Sequence, residues 1–256
     1  MLSKNKIKFI QSLSHKKIRD QENVFLAEGN KMVMEAISSD VPIQLIAGTP
    51  VFYSENDIPA LAANEIIECS AEELKKASLL QNPQQALAVI KMRGQDISFT
   101  ELRNELTLAL DFVQDPGNLG TIIRIADWFG IRNIICSADT ADCYNPKVIQ
   151  ASMGAIFRVK VHYLNLAVFL DEAGQNQLPV YGTFLEGANI YQSKLSSNGI
   201  LVLGNEGHGI SSEIARLIRY KIHIPSFPAG KTGPESLNVA TATAISCSEF
   251  KRRAFL

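Results

Sequence analysis

Residues 106–137 read LTLALDFVQDPGNLGTIIRIADWFGIRNIICS, and their order decides the fold. The near-continuous apolar run Leu106–Val113 suits a strand covered on both faces, since a half-exposed strand would alternate. Pro116-Gly117 makes a turn, and Asp115 or Asn118 can accept from the free amides that open a helix. Leu119, Ile122, Ile123, Ala126 and Phe129 then recur at helical spacing, with IRNIICS as the next strand. A strand, a crossover helix and a second strand make a parallel βαβ unit.

Working outward, FRVKVHY, LPVYGTFL, GILVLG and YKIHIP read as further strands separated by helices, with a last helix from Ser236. Upstream, VFLAEG, PIQLIAG, EIIEC and ALAVIKM read as strands, with helices at Asn30–Ser38 and Ala71–Ser78. Such alternation predicts an α/β protein with largely parallel sheets. The polar, aperiodic segment RGQDISFTE (residues 93–101) places a domain boundary near residue 100, giving a smaller domain over 1–100 and a larger one over 101–256. Because connections are normally unknotted, the residues alone point to an open, flavodoxin-like order for the larger sheet.

With 256 residues, 46% of them hydrophobic, the chain can bury a substantial core. Its formal charge is −1, so a polyanion would have to be met by local patches. One candidate opens the chain: residues 1–31 carry Lys4, Lys6, Lys8, Lys16, Lys17, Arg19 and Lys31 against Asp20, Glu22 and Glu28, and seven minus three gives +4. A solvated helix face explains that count equally well. Cys69, Cys136, Cys143 and Cys247 are too scattered for a disulfide framework or a metal-ligating pair, and read as core thiols. His15, His162, His208 and His223 form no HExxH pattern, so no protein-bound catalytic metal is expected. No apolar signal region and no run near the ~18 residues of a membrane span appear, which leads to the expectation of a cytoplasmic protein without membrane association.

Ligands of doubly wound sheets bind beyond the carboxyl ends of the strands, where three glycine-containing loops stand out. In DPGNLG and its helix, Gly120, Arg124 and Asp127 form a stripe in which Gly120 would leave room for a ligand beside Arg124. The plainer explanation is an Arg124–Asp127 surface pair. GNEGHGIS (residues 204–211) permits close approach of a ligand to the backbone and offers Glu206. It fits neither a dinucleotide fingerprint nor a P-loop, and a turn capped by Ser211 or Ser212 would explain it as well. In HIPSFPAGKTGPESLNVATATAI (residues 223–245), Ser236 reads as an N-cap, which leaves Asn238 one turn into a helix without a structural reason.

Taken together, NLGTIIRIADWFG, LVLGNEGHGIS and IP followed by SLNVATATAI resemble the three motifs of the SpoU (TrmH) family of RNA ribose methyltransferases, in the SPOUT superfamily. NPKVIQASMGAIFRV resembles the family's linking segment, and VFLAEGNKMVMEAI the start of an L30e-like substrate-binding domain. The resemblance covers about residues 106–250. It implies a C-terminal trefoil-knotted (α/β knot) methyltransferase domain behind a smaller L30e-like α/β domain. It also implies a homodimer, S-adenosylmethionine as methyl donor, and a ribose 2′-hydroxyl of structured RNA as acceptor, with ribosomal RNA favoured over transfer RNA. Residue by residue, it marks Asn118, Arg124, Glu206, Ser236 and Asn238 as the catalytic group. It assigns the backbones of Gly204, Ile224 and Leu237 to the cofactor, with Thr183 bordering the adenine. One departure is the loop from Ser226 to Glu235, longer than in compact members of the family.

A sulfonium methyl is already activated, so the enzyme has mainly to align the ribose oxygen and assist loss of its proton. A guanidinium of ordinary basicity is almost never neutral at pH 7, which makes Arg124 a poor base. Gripping the neighbouring phosphate and stabilising the developing alkoxide suits it better. Two other functions compete: a catalytically silent RNA-binding protein on the same fold, and a nucleotide-binding enzyme that would use GNEGHG as a phosphate cradle.

Overall fold

The structure, a computed structural model, describes residues 1–39, 41–94, 97–227 and 236–254. Most of the long loop Ser226–Glu235 and part of the boundary segment 93–101 lie outside the described residues. By packing, the chain divides into two units, Met1–Gly94 with Asp142–Arg158, and 95–141 with 159–256.

The first unit contains α1 (Lys4–Ser12), α2 (Lys16–Glu22), β1 (Val24–Glu28), α3 (Asn30–Ser38), β2 (Ile43–Gly48), α4 (Pro50–Glu55), β3 (Glu65–Glu68), α5 (Ala71–Ala77) and β4 (Ala86–Lys91). Its sheet order is β1-β4-β2-β3, with β4 antiparallel to both neighbours. The sheet is therefore mixed, not parallel. The β1-α3-β2 crossover leaves a gap one strand wide, and β4 fills it from the opposite direction. Apolar runs signal burial but not direction. Helix α5 begins with a capping box, the Ser70 hydroxyl accepting from Glu73 N–H while the Glu73 carboxylate accepts from Ser70 N–H.

The basic N-terminal stretch folds as α1 and α2, whose apolar side, with Ile10 and Leu13, packs into a core shared with Val24, Leu26, Leu45, Leu87 and Val89. This corrects the expected patch in two places. Lys6 is paired with Glu65. Arg19 is buried, only 2% exposed, and its guanidinium donates to the carbonyls of Leu13 and Ser14 at 2.7 and 3.0 Å and pairs with Asp142. The start of α3 is also less open than its sequence suggests, because the Gln84 side-chain oxygen accepts from Asn30 N–H at 3.1 Å.

Residues 142–158, which the sequence places in the larger domain, pack with the first unit. Within them α8 (Pro146–Ser152) is capped by Asn145 and buries Val148, Ile149 and Ser152. Tyr144 stacks on Phe25 with ring centroids 4.6 Å apart, and Gln150 donates to the Glu28 carbonyl at 2.9 Å. Arg158 pairs with Glu35 at 2.6 Å. Sequence separation hid this arrangement: the contacts span more than a hundred residues.

The second unit contains α6 (Phe99–Leu102), β5 (Leu106–Leu110), α7 (Pro116–Trp128), β6 (Asn133–Cys136), β7 (Lys160–Tyr163), α9 (Leu166–Gln175), β8 (Val180–Asn189), β9 (Gly199–Leu203), α10 (Ser212–Ala215), β10 (Tyr220–His223) and α11 (Val239–Ala254). Its six strands are all parallel in the order β10-β8-β9-β5-β6-β7. Every residue of β5 is buried, as a strand covered on both faces requires. The order is not flavodoxin-like: β9 lies directly against β5 and pushes β8 outside it. After β10, at the sheet's far edge, the chain returns so that α11 packs against α7. No helix among the described residues is long and apolar enough to cross a membrane. All four cysteines are buried, and burial pushes the Cys247 thiol up to about 12.

The end of α11 carries a pH-sensitive clamp. Hydrogen bonds from Arg252, aided by those from Arg253, hold the Glu249 carboxyl down at about 2, against the opposing effect of its burial. Arg253 also donates to the carbonyls of Ser193 and Tyr191, both at 2.6 Å, so the pair ties the helix to the strand β8 exit. A depressed carboxyl stabilises the fold fully above its unfolded value of about 4.3, and that contribution fades as pH falls towards 2. Denaturation midpoints measured from pH 7 to pH 2 are expected to drop between about pH 5 and pH 2. Glu249→Gln should flatten that limb.

Candidate active site

The second sheet reverses its winding between β5 and β9, which makes the crevice beyond their carboxyl ends the natural ligand site. Three loops meet there. The first enters α7, where Asp115 is the N-cap, its carboxylate accepting from Asn118 N–H at 2.7 Å, and Pro116 stands at the first turn, needing no donor. The second follows β9, and the third runs from β10 into α11. The return of α11 onto α7 brings the third loop beside the first, although their strands are three apart in the sheet.

A chain of side-chain amides joins all three loops. Asn238 Nδ2 donates to Asn118 Oδ1 at 2.9 Å, and Asn118 Nδ2 donates to Glu206 Oε1 at 2.6 Å. Asn118 is thereby fixed in orientation, one end donating and the other accepting. The Asn238 side-chain oxygen in turn accepts from Ala240 and Thr241 N–H at 2.9 and 3.3 Å, so Asn238 is the cap of α11. This corrects the expectation that Ser236 begins the helix: α11 starts at Val239, and Ser236 is exposed in the preceding loop. Asn238 thus has a structural reason after all, its oxygen capping the helix while its amide reaches across to Asn118.

Arg124 is exposed on α7, and it engages no carboxylate among the described residues. The open stripe of α7 is Thr121, Arg124 and Trp128, with Trp128 85% exposed. Gly120 is buried. Thr183, in β8 just beyond the residues that pair with β9, and Ile224, just after β10, are partly exposed, and Leu237 is 45% exposed. Gly204 has a stricter role than backbone approach to a ligand. A Cβ there would lie 2.2 Å from the Gly209 carbonyl carbon, so the loop can fold back only over glycine. Gly204→Ala should lower the unfolding free energy by about 1–3 kcal/mol, measured by chemical denaturation. An unchanged midpoint would mean that the loop opens without cost.

Three residues that sequence reasoning passed over shape this crevice. Asp111 accepts from Ser211 N–H at 2.7 Å, and it is this bond, with no hydroxyl cap from Ser211, that anchors the loop before α10. Asn205 accepts from Gly207 and His208 N–H and donates to the Phe112 carbonyl at 2.8 Å. Phe112 itself has φ +61°, a left-handed conformation costing a bulky residue about 1–2 kcal/mol. An alternation of apolar residues gives no warning of a positive φ at a phenylalanine. The GN dipeptide after β9 was the available signal for Asn205, since asparagine bonds its own loop backbone.

The described residues of the three loops offer the side-chain amides of Asn118, Asn205 and Asn238 and three engaged carboxylates, Asp111, Asp115 and Glu206. This doubly wound parallel sheet with its converging loops is the architecture of the SPOUT class of methyltransferases. The chain belongs to the SpoU rRNA Methylase family, which it matches over residues 105–248, and residues 4–88 match the MRM3-like substrate binding domain. It is 33% identical, over 94% of this chain and 93% of the relative, to the 23S rRNA (guanosine(2553)-2'-O)-methyltransferase RlmP of Bacillus subtilis. A solved TrmH-family protein of Porphyromonas gingivalis shares 41% identity and a TM-score of 0.90, with 99% of each chain covered. The AdoMet-bound rRNA methyltransferase of Sinorhizobium meliloti shares 29% identity and a TM-score of 0.82, with 100% of this chain and 97% of that one covered.

Proposed function

We propose that the protein transfers a methyl group from S-adenosylmethionine to a ribose 2′-hydroxyl of ribosomal RNA. The observation that carries this is the Asn238–Asn118–Glu206 chain, which locks three separate loops into one site at the switch point. The donor set fits that cofactor, since side-chain amides and backbone groups suit a zwitterion with a sulfonium. Ribosomal RNA is favoured over transfer RNA because the likeness to RlmP runs through both parts of the chain.

In this assignment Gly204, Ile224 and Leu237 hold the cofactor through their backbones, Thr183 borders its adenine, and Ser236 faces the ribose. S-adenosylmethionine, when bound, supplies a methyl group already activated by its positive sulfur. Arg124 grips the phosphate beside the target ribose with its planar fork, and its charge stabilises the oxygen as the proton leaves. Asn118, held by Glu206 on one side and Asn238 on the other, orients the ribose without needing to rearrange during the reaction. The first unit, residues 1–94 with 142–158, grips the surrounding RNA.

The return of α11 onto α7 closes a trefoil knot in this reading, and the enzyme is a cytoplasmic homodimer. The support for the dimer is Trp128, 85% exposed one turn beyond Arg124, an apolar surface that a second copy would cover. Sedimentation should give twice the 28.1 kDa of the chain, and a lone chain at micromolar concentration would count against it. The function itself is tested by thermal shift and by mapping. S-adenosylhomocysteine should raise the melting temperature and nucleoside triphosphates should not. RNA from a strain lacking the protein should lose one 2′-O-methyl site; no shift with S-adenosylhomocysteine would sink the assignment.

A further inference from the structure

We propose that Phe112 is the platform on which a base of the RNA substrate stacks beside the target ribose; the inference rests on the methyl-transfer assignment above. Phe112 follows β5, next to the switch point, three residues before the Asp115 cap of α7. Its neighbours in space belong to the site. Asn205, which holds its carbonyl at 2.8 Å, precedes Glu206, the carboxylate that fixes Asn118.

A glycine would adopt φ +61° freely, so a phenylalanine kept there points to a use for its ring. Of the other non-glycine residues with positive φ, Asn23 and Met153 are helix C-caps and Gln177 directly follows the cap of α9, where such angles are routine. Phe112 lies instead in the bend two residues after β5, and side chains clamp its backbone on both sides. Its N–H donates to Ser137 Oγ at 3.0 Å, and Ser137 is bonded at 3.1 Å to Thr140, which donates to the Leu110 carbonyl. Loops from both neighbouring strands, β6 and β9, therefore hold the backbone from which the ring departs. That ring is 40% exposed and stacks on no other aromatic ring among the described residues.

A half-open aromatic side chain at the same switch point as the Asn118 network can stack on an unstacked nucleotide. The adenine is assigned to Thr183 on β8, two strands away from β5, whereas Phe112 follows β5 and is held by the loops after β9 and β6. A base of the substrate is left as its partner. Neither base identity nor hydrogen-bond readout is required, since every base has a π-face.

The test compares Phe112→Leu, Phe112→Gly and Phe112→Trp in methylation of ribosomal RNA transcribed in vitro, with S-adenosylhomocysteine affinity measured by calorimetry. Leucine and glycine should raise KM for RNA on the order of tenfold or more. Tryptophan should stay within a few-fold of the parent, and cofactor affinity should be unchanged throughout. Glycine, freed from backbone strain, should at the same time leave the melting temperature equal or higher, which separates loss of the ring from loss of fold. An unchanged KM in Phe112→Leu, or a rise in the S-adenosylhomocysteine dissociation constant without one in KM, overturns the inference while leaving methyl transfer intact. A parent protein that binds no S-adenosylhomocysteine overturns the functional assignment and the stacking role with it.

Discussion

Arg124→Lys is expected to lower the single-turnover rate of methyl transfer by on the order of a hundredfold or more, with the melting temperature and S-adenosylhomocysteine affinity unchanged. Lysine keeps the charge but not the planar fork, so it cannot hold a phosphate and a neighbouring oxygen in fixed geometry. The rate loss follows from alignment and from electrostatic stabilisation that develops only in the transition state. The structure makes the fold an unlikely casualty, because Arg124 is exposed and engages no carboxylate among the described residues. If it served only as a solvated surface charge, Arg124→Lys would cost tenths of a kcal/mol and leave turnover within a few-fold of the parent. Saturating RNA and cofactor exclude weakened binding as the cause.

The largest effect on stability is expected from Asp142→Asn. Arg19 is 2% exposed, and Asp142 is its ion-pair partner, with a side chain 17% exposed. Asparagine preserves an oxygen for Tyr144 N–H, which Asp142 Oδ1 accepts at 3.0 Å, while removing the charge. A buried guanidinium then keeps its two carbonyl acceptors but loses its counter-charge, a change worth about 3–5 kcal/mol. Arg19 Nε, already buried without a partner, leaves it no alternative contact. Hydrogen exchange of the β1 and β4 amides reads the first unit separately from the second. Adding Arg19→Met to Asp142→Asn should restore part of the loss, because it removes the stranded charge. A shift below 1 kcal/mol in the single variant would show that water reaches the pair.

How much was legible depends on the range over which each signal acts. Helix α3 falls on the expected Asn30–Ser38, and the ten strands fall on the expected apolar runs, since burial periodicity is local. Helices α1 and α2 are masked by their charge, since six cations outnumber the few apolar residues, Ile10 among them, that face the core. Strand direction in the first sheet, the order of β8 and β9 in the second, and the docking of residues 142–158 are all settled by contacts distant in sequence. At the site, the three loops were visible as glycine-containing turns, and the resemblance singled out Asn118, Glu206 and Asn238, which the structure links directly. It does not bring Ser236 into that hydrogen-bonded chain. Phe112 and Asn205 escaped notice because neither a positive φ nor a side-chain bond to a distant carbonyl leaves a mark on composition.

Residues 142–158 also change what counts as a separable part. The polypeptide passes between the two units at residues 94–95, 141–142 and 158–159, so one proteolytic nick near residue 95 severs a single link of three. Recombination faces the same constraint. A chimera made by joining residues 1–94 of one relative to the remainder of another would receive Tyr144, Val148, Ile149 and Arg158 from the wrong parent, against a Phe25 and a Glu35 they had not been selected with. Exchange of the first unit between such proteins therefore requires two transplanted segments, and lineages in which only the first was exchanged should show compensating changes at the contacts of α8.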